Sequence, residues 1–175
     1  LAVTAPHAPI DVMITLQPMN ICAAAADLLW SRVIKLFPDL RIALFSGNYN
    51  YVRDGANQAL NRLAGYLLRQ GAAVRIYSPT VDEPAFPATG DLISLPSVAF
   101  PGRGEYRFPM GLPPRIRRDL AEFAPNIVHV SSPDLSGHRA VSWARRNKLP
   151  LLASVHTRFE TYFRYYNLAW MEPAA

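Results

Sequence analysis

Four short polar stretches hold residue types that can line a ligand site, and each directly follows an apolar run. Ser46-Gly47-Asn48 follows RIALF, Ser78-Pro79-Thr80 follows AAVRIY, Ser131-Ser132-Pro133-Asp134 follows NIVHV, and His156-Thr157-Arg158 follows LLASV. If the runs are parallel strands, these stretches converge at one edge of the sheet, where such folds bind ligands. Turn residues and helix caps are needed at any strand end, which alone would account for Ser, Pro and Asp. They account less well for His156 and for the long segment 97–112.

The first loop leads to Asp54-Gly55, where a helix can start. The free N–H groups and positive dipole end of such a helix suit a phosphate, and Gly55 would allow close backbone approach. The spacing from Gly47 to Gly55 fits neither G-x-G-x-x-G nor a Walker-type lysine loop, which disfavours a nicotinamide enzyme or an NTPase. His7, His129, His138 and His156 are far apart and form no H-x-H or H-E-x-x-H arrangement, so no metal site is expected. His129 alternates within an apolar strand and reads as a core histidine, whereas His156 lies where either a ligand-facing or a structural role fits. Arg115, Arg117 and Arg118 fall on one short helix, near Arg103 and Arg107. Such a cluster is either a solvated face or an attraction for anionic lipid headgroups, worth about 1 kcal/mol per basic residue near a membrane. The aromatics at 159–170 have no interleaved lysines and no nucleic-acid motif is present, so no nucleic-acid partner is expected.

The elements that must position these residues follow from pattern and punctuation. DVMITL (11–16) reads as a strand and CAAAADLLWSRVIKLF (22–37) as a helix ended by Pro38-Asp39, so RIALF (41–45) closes a first β-α-β unit. Asp54 can cap a helix whose Ala56, Leu60, Leu63, Ala64, Leu67 and Leu68 share a face, with Gly71 ending it. Strands follow at 72–77 and 91–96, then a loop over 97–112. Pro114 starts a helix bearing Ile116, Leu120 and Phe123, and Pro125 ends it. A strand at 126–130, a helix capped by Asp134 from Leu135 to about Asn147, and a strand at 151–155 complete the series. Apolar strands alternating with amphipathic helices predict a doubly wound α/β domain, a parallel sheet with helices on both faces, here with an extra N-terminal βα unit.

Composition agrees. The 175 residues are half apolar and 18% charged, enough for one domain with an ordinary core. Cys22 is the single cysteine, so no intrachain disulfide can form and a reducing compartment is the simpler expectation. No apolar run is long enough to span a bilayer. The net charge of +5 favours an anionic partner: a phosphate-bearing ligand, a membrane surface or a nucleic acid. A cytoplasmic, membrane-peripheral location fits these features. Because it begins at Leu1, the chain reads as a fragment.

From Arg41 to Pro173 the chain resembles the N-terminal half of a family-4 glycosyltransferase of the GT-B architecture. RIALFSGNYNYVRDGANQALNRLAGYLLRQGAAVRIYSP, PGRGEYRFPMGLP, NIVHVSSPDLSGHRA and LLASVHTRFETYFRYYNLAWMEP carry the resemblance. It implies transfer of a sugar from a nucleotide-sugar donor, a substrate rather than a cofactor, to a lipid or glycan acceptor. It implies that Ser46, Gly47, Asn48, Asp54 and Gly55 form the loop between donor phosphates and acceptor, with one glycine where many members have two. His156 would face the transferred sugar, and Tyr106, Arg107, Ser131, Ser132 and Asp134 would line the acceptor side. In the family the donor is held mainly by a C-terminal domain with a paired-glutamate motif, which these residues do not include, so the chain alone is expected to be inactive. APHAPIDVMITLQPMNICAAAADLLWSRVIKLFPDLRIAL resembles instead a βα segment of amidohydrolase-2 type metal-dependent hydrolases, without their metal-binding histidines. The expectation is a chimera, residues 1–40 and 41–175, joined within the shared RIAL strand, with strand 11–16 at a sheet edge beside 151–155. A non-catalytic α/β binding module and an amidohydrolase fragment are the alternatives.

Overall fold

RIALF carries no polar side chain after Arg41, as a strand covered on both faces requires, and it forms the centre of the sheet. In the computed structural model, residues 37–100 and 103–154 are described. The chain divides into two compact units, Leu1–Pro38 and Asp39–Ala175, and the sheet with its helices belongs to the second. The expected strand at 11–16, almost all of the helix at 22–37, and His156 with the aromatic segment lie outside the described residues.

In chain order the elements are β1 (Arg41–Phe45), α1 (Gly55–Arg69), β2 (Ala73–Ser78), β3 (Asp91–Ser94), β4 (Ser97–Phe100), β5 (Arg103–Pro109), α2 (Pro114–Phe123), β6 (Ile127–Val130), α3 (Leu135–Arg146) and β7 (Leu151–Ala153). Five strands form one sheet in the order β3-β2-β1-β6-β7, all parallel, with Phe45 level with both Tyr77 and Val130. The fold is therefore the expected parallel α/β arrangement. Successive strand residues point to opposite faces. Ala43, Phe45, Tyr77, Val128 and Val130 pack with Ile116, Leu120 and Phe123 of α2 and with Ala140 and Ala144 of α3. The alternate residues Ile42, Leu44, Val74 and Ile76 are buried as well, on the side of α1, which buries Leu60, Ala64 and Leu67.

The helix ends follow the sequence signals. Asp54 Oδ1 accepts from Asn57 N (2.8 Å) at the start of α1, and Gly71, at φ +92°, supplies the left-handed turn after it. Pro113 and Pro114 open α2 without a side-chain cap, and Asp134 Oδ1 caps α3 by accepting from Gly137 N (2.9 Å). The small residues Gly137, Ala140 and Ala144 let α3 lie close to the sheet. A salt-bridged cluster ties β2, β3 and α2. Arg75 meets Asp91 (2.7 Å) and Asp119 (3.1 Å), Tyr77 donates to Asp119 (2.7 Å), and the Arg75 guanidinium lies over the Phe123 ring. Burial works against the Arg75 charge, but its hydrogen bond to Asp91 and the charges of Asp119 and Asp91 outweigh it and hold its pKa above the ordinary value.

One expectation is corrected. The sequence reading makes 97–112 a loop, whereas β4 and β5 pair as an antiparallel ribbon with Val98 opposite Phe108 and Ala99 opposite Arg107. Strand periodicity is legible when one face is buried. Here Val98, Ala99, Glu105, Tyr106 and Phe108 are all exposed and, among the side chains described, only Pro109 is buried, so these residues do not alternate.

Candidate functional site

Because β1, β2 and β6 run parallel, the polar stretches after these three strands lie at one edge of the sheet, as the sequence pattern requires. The β1 and β6 loops are strapped together. Gly47 N donates to Ser132 Oγ (2.8 Å), Ser132 Oγ donates to Asp134 Oδ2 (2.6 Å), and the other carboxylate oxygen holds the first turn of α3. A Cβ at position 47 would lie 2.7 Å from Asp134 Oδ2 and 3.2 Å from Ser132 Oγ, so glycine is required for this approach. Ser131 N and Oγ both donate to Phe45 O (2.9 and 3.1 Å).

A third segment joins through a residue that sequence reasoning missed. Tyr51, buried at 8% exposure, donates to Gly47 O (2.7 Å) and accepts from Arg107 N (3.2 Å). Its hydroxyl links the β1 loop to β5. Burial raises the Tyr51 pKa, the charge of Asp134 adds to this, and the hydrogen bond and charge of Arg107 act the other way. The signal was the SGNYNYV pattern, since a buried tyrosine needs a partner for its hydroxyl.

Of the predicted residues, Gly47, Ser132 and Asp134 therefore meet directly, Arg107 joins them through Tyr51, and Ser131 flanks them on the β1 strand end. Ser46 is buried and donates to Asn48 O (2.7 Å), and Asn48 Oδ1 accepts from Val52 N (3.2 Å). Asp54 and Gly55 are exposed at the start of α1. The Asp54 carboxylate takes hydrogen bonds from Asn57 N and Nδ2 (2.8 and 2.9 Å), so a carboxylate already sits at the positive end of α1. Beside Gly55 there is open space. Tyr106 is exposed on the ribbon. Asn48 Nδ2 and Arg107 Nε are buried and meet no acceptor among the described residues; two such donors near the Gly47 loop are what an oxygen-rich ligand would engage.

His129 is the core histidine expected, with Nε2 2.8 Å from Ser154 Oγ. Among the described residues no cluster of three or more His, Cys, Asp or Glu could hold a metal ion, and no helix is long and apolar enough to cross a membrane. Arg115, Arg117 and Arg118 are exposed on α2, with Arg115 Nη2 donating to Ser94 O (3.0 Å). Ser132 and Asp134 form a bonded pair, but the pair is committed to holding α3. Among the described residues the unmatched donors at this edge are Asn48 Nδ2 and Arg107 Nε, groups that suit the oxygens of a hydroxylated or phosphorylated molecule.

Comparison with known proteins agrees. The chain is 29% identical over 133 residues to a sulfoquinovosyl transferase of Arabidopsis thaliana, covering 75% of this chain and 26% of that protein. It is 26% identical over 126 residues to an alpha-monoglucosyldiacylglycerol synthase of Streptococcus pneumoniae, covering 72% of this chain and 29% of that protein. The match thus spans less than a third of either relative. No solved structure gives a significant match. The family model described as Glycosyltransferase Family 4 matches residues 53–175, more than half of the chain, and the chain belongs to that family.

Proposed function

We propose that this chain is the acceptor-side domain of a glycosyltransferase that moves a sugar from a nucleotide-sugar donor to a lipid acceptor, with a glycan as the other acceptor class. The observation that carries the reading is the family match over 53–175, which contains Arg107, Ser131, Ser132 and Asp134 of the strapped sheet edge. A lipid is favoured because one relative is named for a glucosyl diacylglycerol product. In this reading Ser46, Gly47, Asn48, Asp54 and Gly55 form the loop between the donor phosphates and the acceptor, Tyr106, Arg107, Ser131, Ser132 and Asp134 line the acceptor side, and His156 faces the transferred sugar. The donor nucleotide is held by a C-terminal domain acting with this one, and the nucleotide sugar serves as substrate, with no separate cofactor in this reading. The protein works in the cytoplasm at the membrane periphery, and Arg115, Arg117 and Arg118 add attraction to anionic lipid.

The test is turnover of radiolabelled nucleotide sugars on dispersed diacylglycerol, by the 175-residue chain alone and with a family donor-binding domain supplied. The chain alone is expected to give none, and the pair to give labelled glycolipid. Turnover by the chain alone would overturn the division of labour. Absence of product with every donor in the reconstituted pair would favour the non-catalytic binding module.

We propose further that residues 1–40 are a separate, amidohydrolase-like segment joined to the transferase domain within RIAL. What supports this is the boundary between compact units at Pro38 and Asp39 and a family match that begins at Arg53.

A further inference from the structure

We infer that Tyr51 is a positioning residue for the acceptor side: its hydroxyl sets Arg107 against the β1 loop, an inference that rests on the transferase reading. The geometry of the ribbon shows why Arg107 takes a partner there. Met110 N donates to Pro96 O (2.8 Å), and bonded and non-bonded pairs alternate along an antiparallel ladder. In this register the pair Val98 and Phe108 is a bonded one, and the pair Ala99 and Arg107 is not. The N–H and C=O of Arg107 therefore point out of the ribbon, away from β4. Backbone groups withdrawn from water must be paired, and the phenol meets them: Tyr51 Oη accepts from Arg107 N (3.2 Å) and lies 3.4 Å from Arg107 O.

β4 and β5 form a sheet of their own, so ladder bonds to the five-stranded sheet do not fix where Arg107 sits. Beyond the end of β5, Gly111 N donates to Ser136 Oγ of α3 (3.1 Å). Four residues earlier, the hold is Tyr51. Arg107 shares its face of β5 with Pro109, which is buried, whereas Phe108 between them is exposed, so the Arg107 side chain is directed toward the body of the domain. Its Nε is buried and meets no acceptor among the described residues. The guanidinium is thus placed by the backbone, and the backbone by Tyr51.

The joint is uneven. Without the hydroxyl the β1 loop would keep Gly47 N on Ser132 Oγ (2.8 Å), Ser46 Oγ on Asn48 O (2.7 Å) and Val52 N on Asn48 Oδ1 (3.2 Å). Arg107 N would lose the partner this edge supplies. Removing the hydroxyl therefore releases β5 and leaves the loop in place, so the loss falls on the acceptor and spares the donor.

Steady-state kinetics of the reconstituted pair, the 175-residue chain with the donor-binding domain, on dispersed diacylglycerol tests this. Tyr51→Phe keeps the buried ring and removes the hydroxyl; its acceptor KM is expected to rise about tenfold, with the KM for the nucleotide sugar unchanged. Arg107→Gln should raise the acceptor KM as well. The double variant should be no worse than Arg107→Gln alone, as residues acting through one another require. Tyr77→Phe, which takes the hydroxyl of another buried tyrosine away from Asp119, should lower the melting temperature and leave both KM values unchanged. Circular dichroism melting follows the fold of each variant. If Tyr51→Phe behaves as Tyr77→Phe does, Tyr51 is merely structural and the inference is overturned. An equal rise in both KM values would move the loss to the β1 loop, and multiplying effects in the double variant would uncouple Tyr51 from Arg107; either overturns it too. An active parent pair with an unchanged Tyr51→Phe sinks this inference alone, whereas no product from the parent pair removes the transferase reading and this inference with it.

Discussion

At the scale of single residues, the polar positions at the sheet edge divide by what their atoms are already doing. Asp54 and Asp134 are legible from sequence as helix caps, and both are caps. What sequence does not convey is that Asp134 also takes the Ser132 hydroxyl, so that one carboxylate fixes α3 and the strap to Gly47. Gly47→Ala is expected to cost about 1–3 kcal/mol, because its Cβ would press on Asp134 Oδ2 and Ser132 Oγ, neither of which can move without losing the strap. Urea unfolding measures this, and a variant as stable as the parent would show that the loops are not locked together. Tyr51 was hidden from sequence reasoning because its role depends on Arg107, 56 residues away in the chain, and no local pattern reports such a partner.

At the scale of elements, the strands and helices from 41 to 153 could be read because each meets a two-sided or one-sided apolar demand. RIALF is buried throughout after Arg41, and α2 shows Ile116, Leu120 and Phe123 on one face. The β4–β5 ribbon could not, since Pro101, Gly102 and Gly104 interrupt its sequence and no face of it is buried as a whole. The edges of the transferase domain are also an element-level question. Asp39 O accepts from Asn126 Nδ2 (2.7 Å) and Leu40 O accepts from Ala73 N (2.8 Å), so among the described residues the ties at this end of β1 begin at Asp39. If residues 1–40 are a separate segment, a chain beginning at Asp39 should fold and melt within a few degrees of the parent, as a change of no more than about 1 kcal/mol would give. Circular dichroism melting checks this, and a chain that fails to fold would sink the two-segment account.

For the whole molecule, the fold class was available from the alternation of apolar strands and amphipathic helices, and the family from motifs spread over 41–173. The cleft between α2 and α3, lined by Arg117, Arg139 and Arg146, was not, because these residues come together only when the two helices settle on the same face of the sheet. Global stability also has a pH signature. Burial pushes the Tyr49 pKa well above that of ordinary tyrosine, and burial with the hydrogen bond to Asp119 does the same for Tyr77. A folded-state pKa above the unfolded value of about 10 stabilises the fold fully below pH 10, and that contribution is lost as the pH climbs toward the folded values. Of the eight tyrosines, Tyr49 and Tyr77 should therefore ionise only as the far-UV spectrum collapses, in one cooperative step above about pH 10. Ionisation of all eight with an intact spectrum would contradict the burial.

The connection from β2 to β3, residues 79–90, contains no helix, yet side chains bind it at several points. Tyr49 Oη donates to Thr89 O (2.6 Å), Asn50 Nδ2 to Phe86 O (3.0 Å) and Thr89 N to Asn61 Oδ1 (2.9 Å), while Ala85 N donates to Asn50 O (3.0 Å). Most surface connections absorb added residues freely. This one is a splint: each anchor is set at a fixed count of residues from the next, so lengthening it would pull the anchors out of register. Domain insertion or circular permutation there should fail, and the β1 loop that shares those anchors would lose its shape with it.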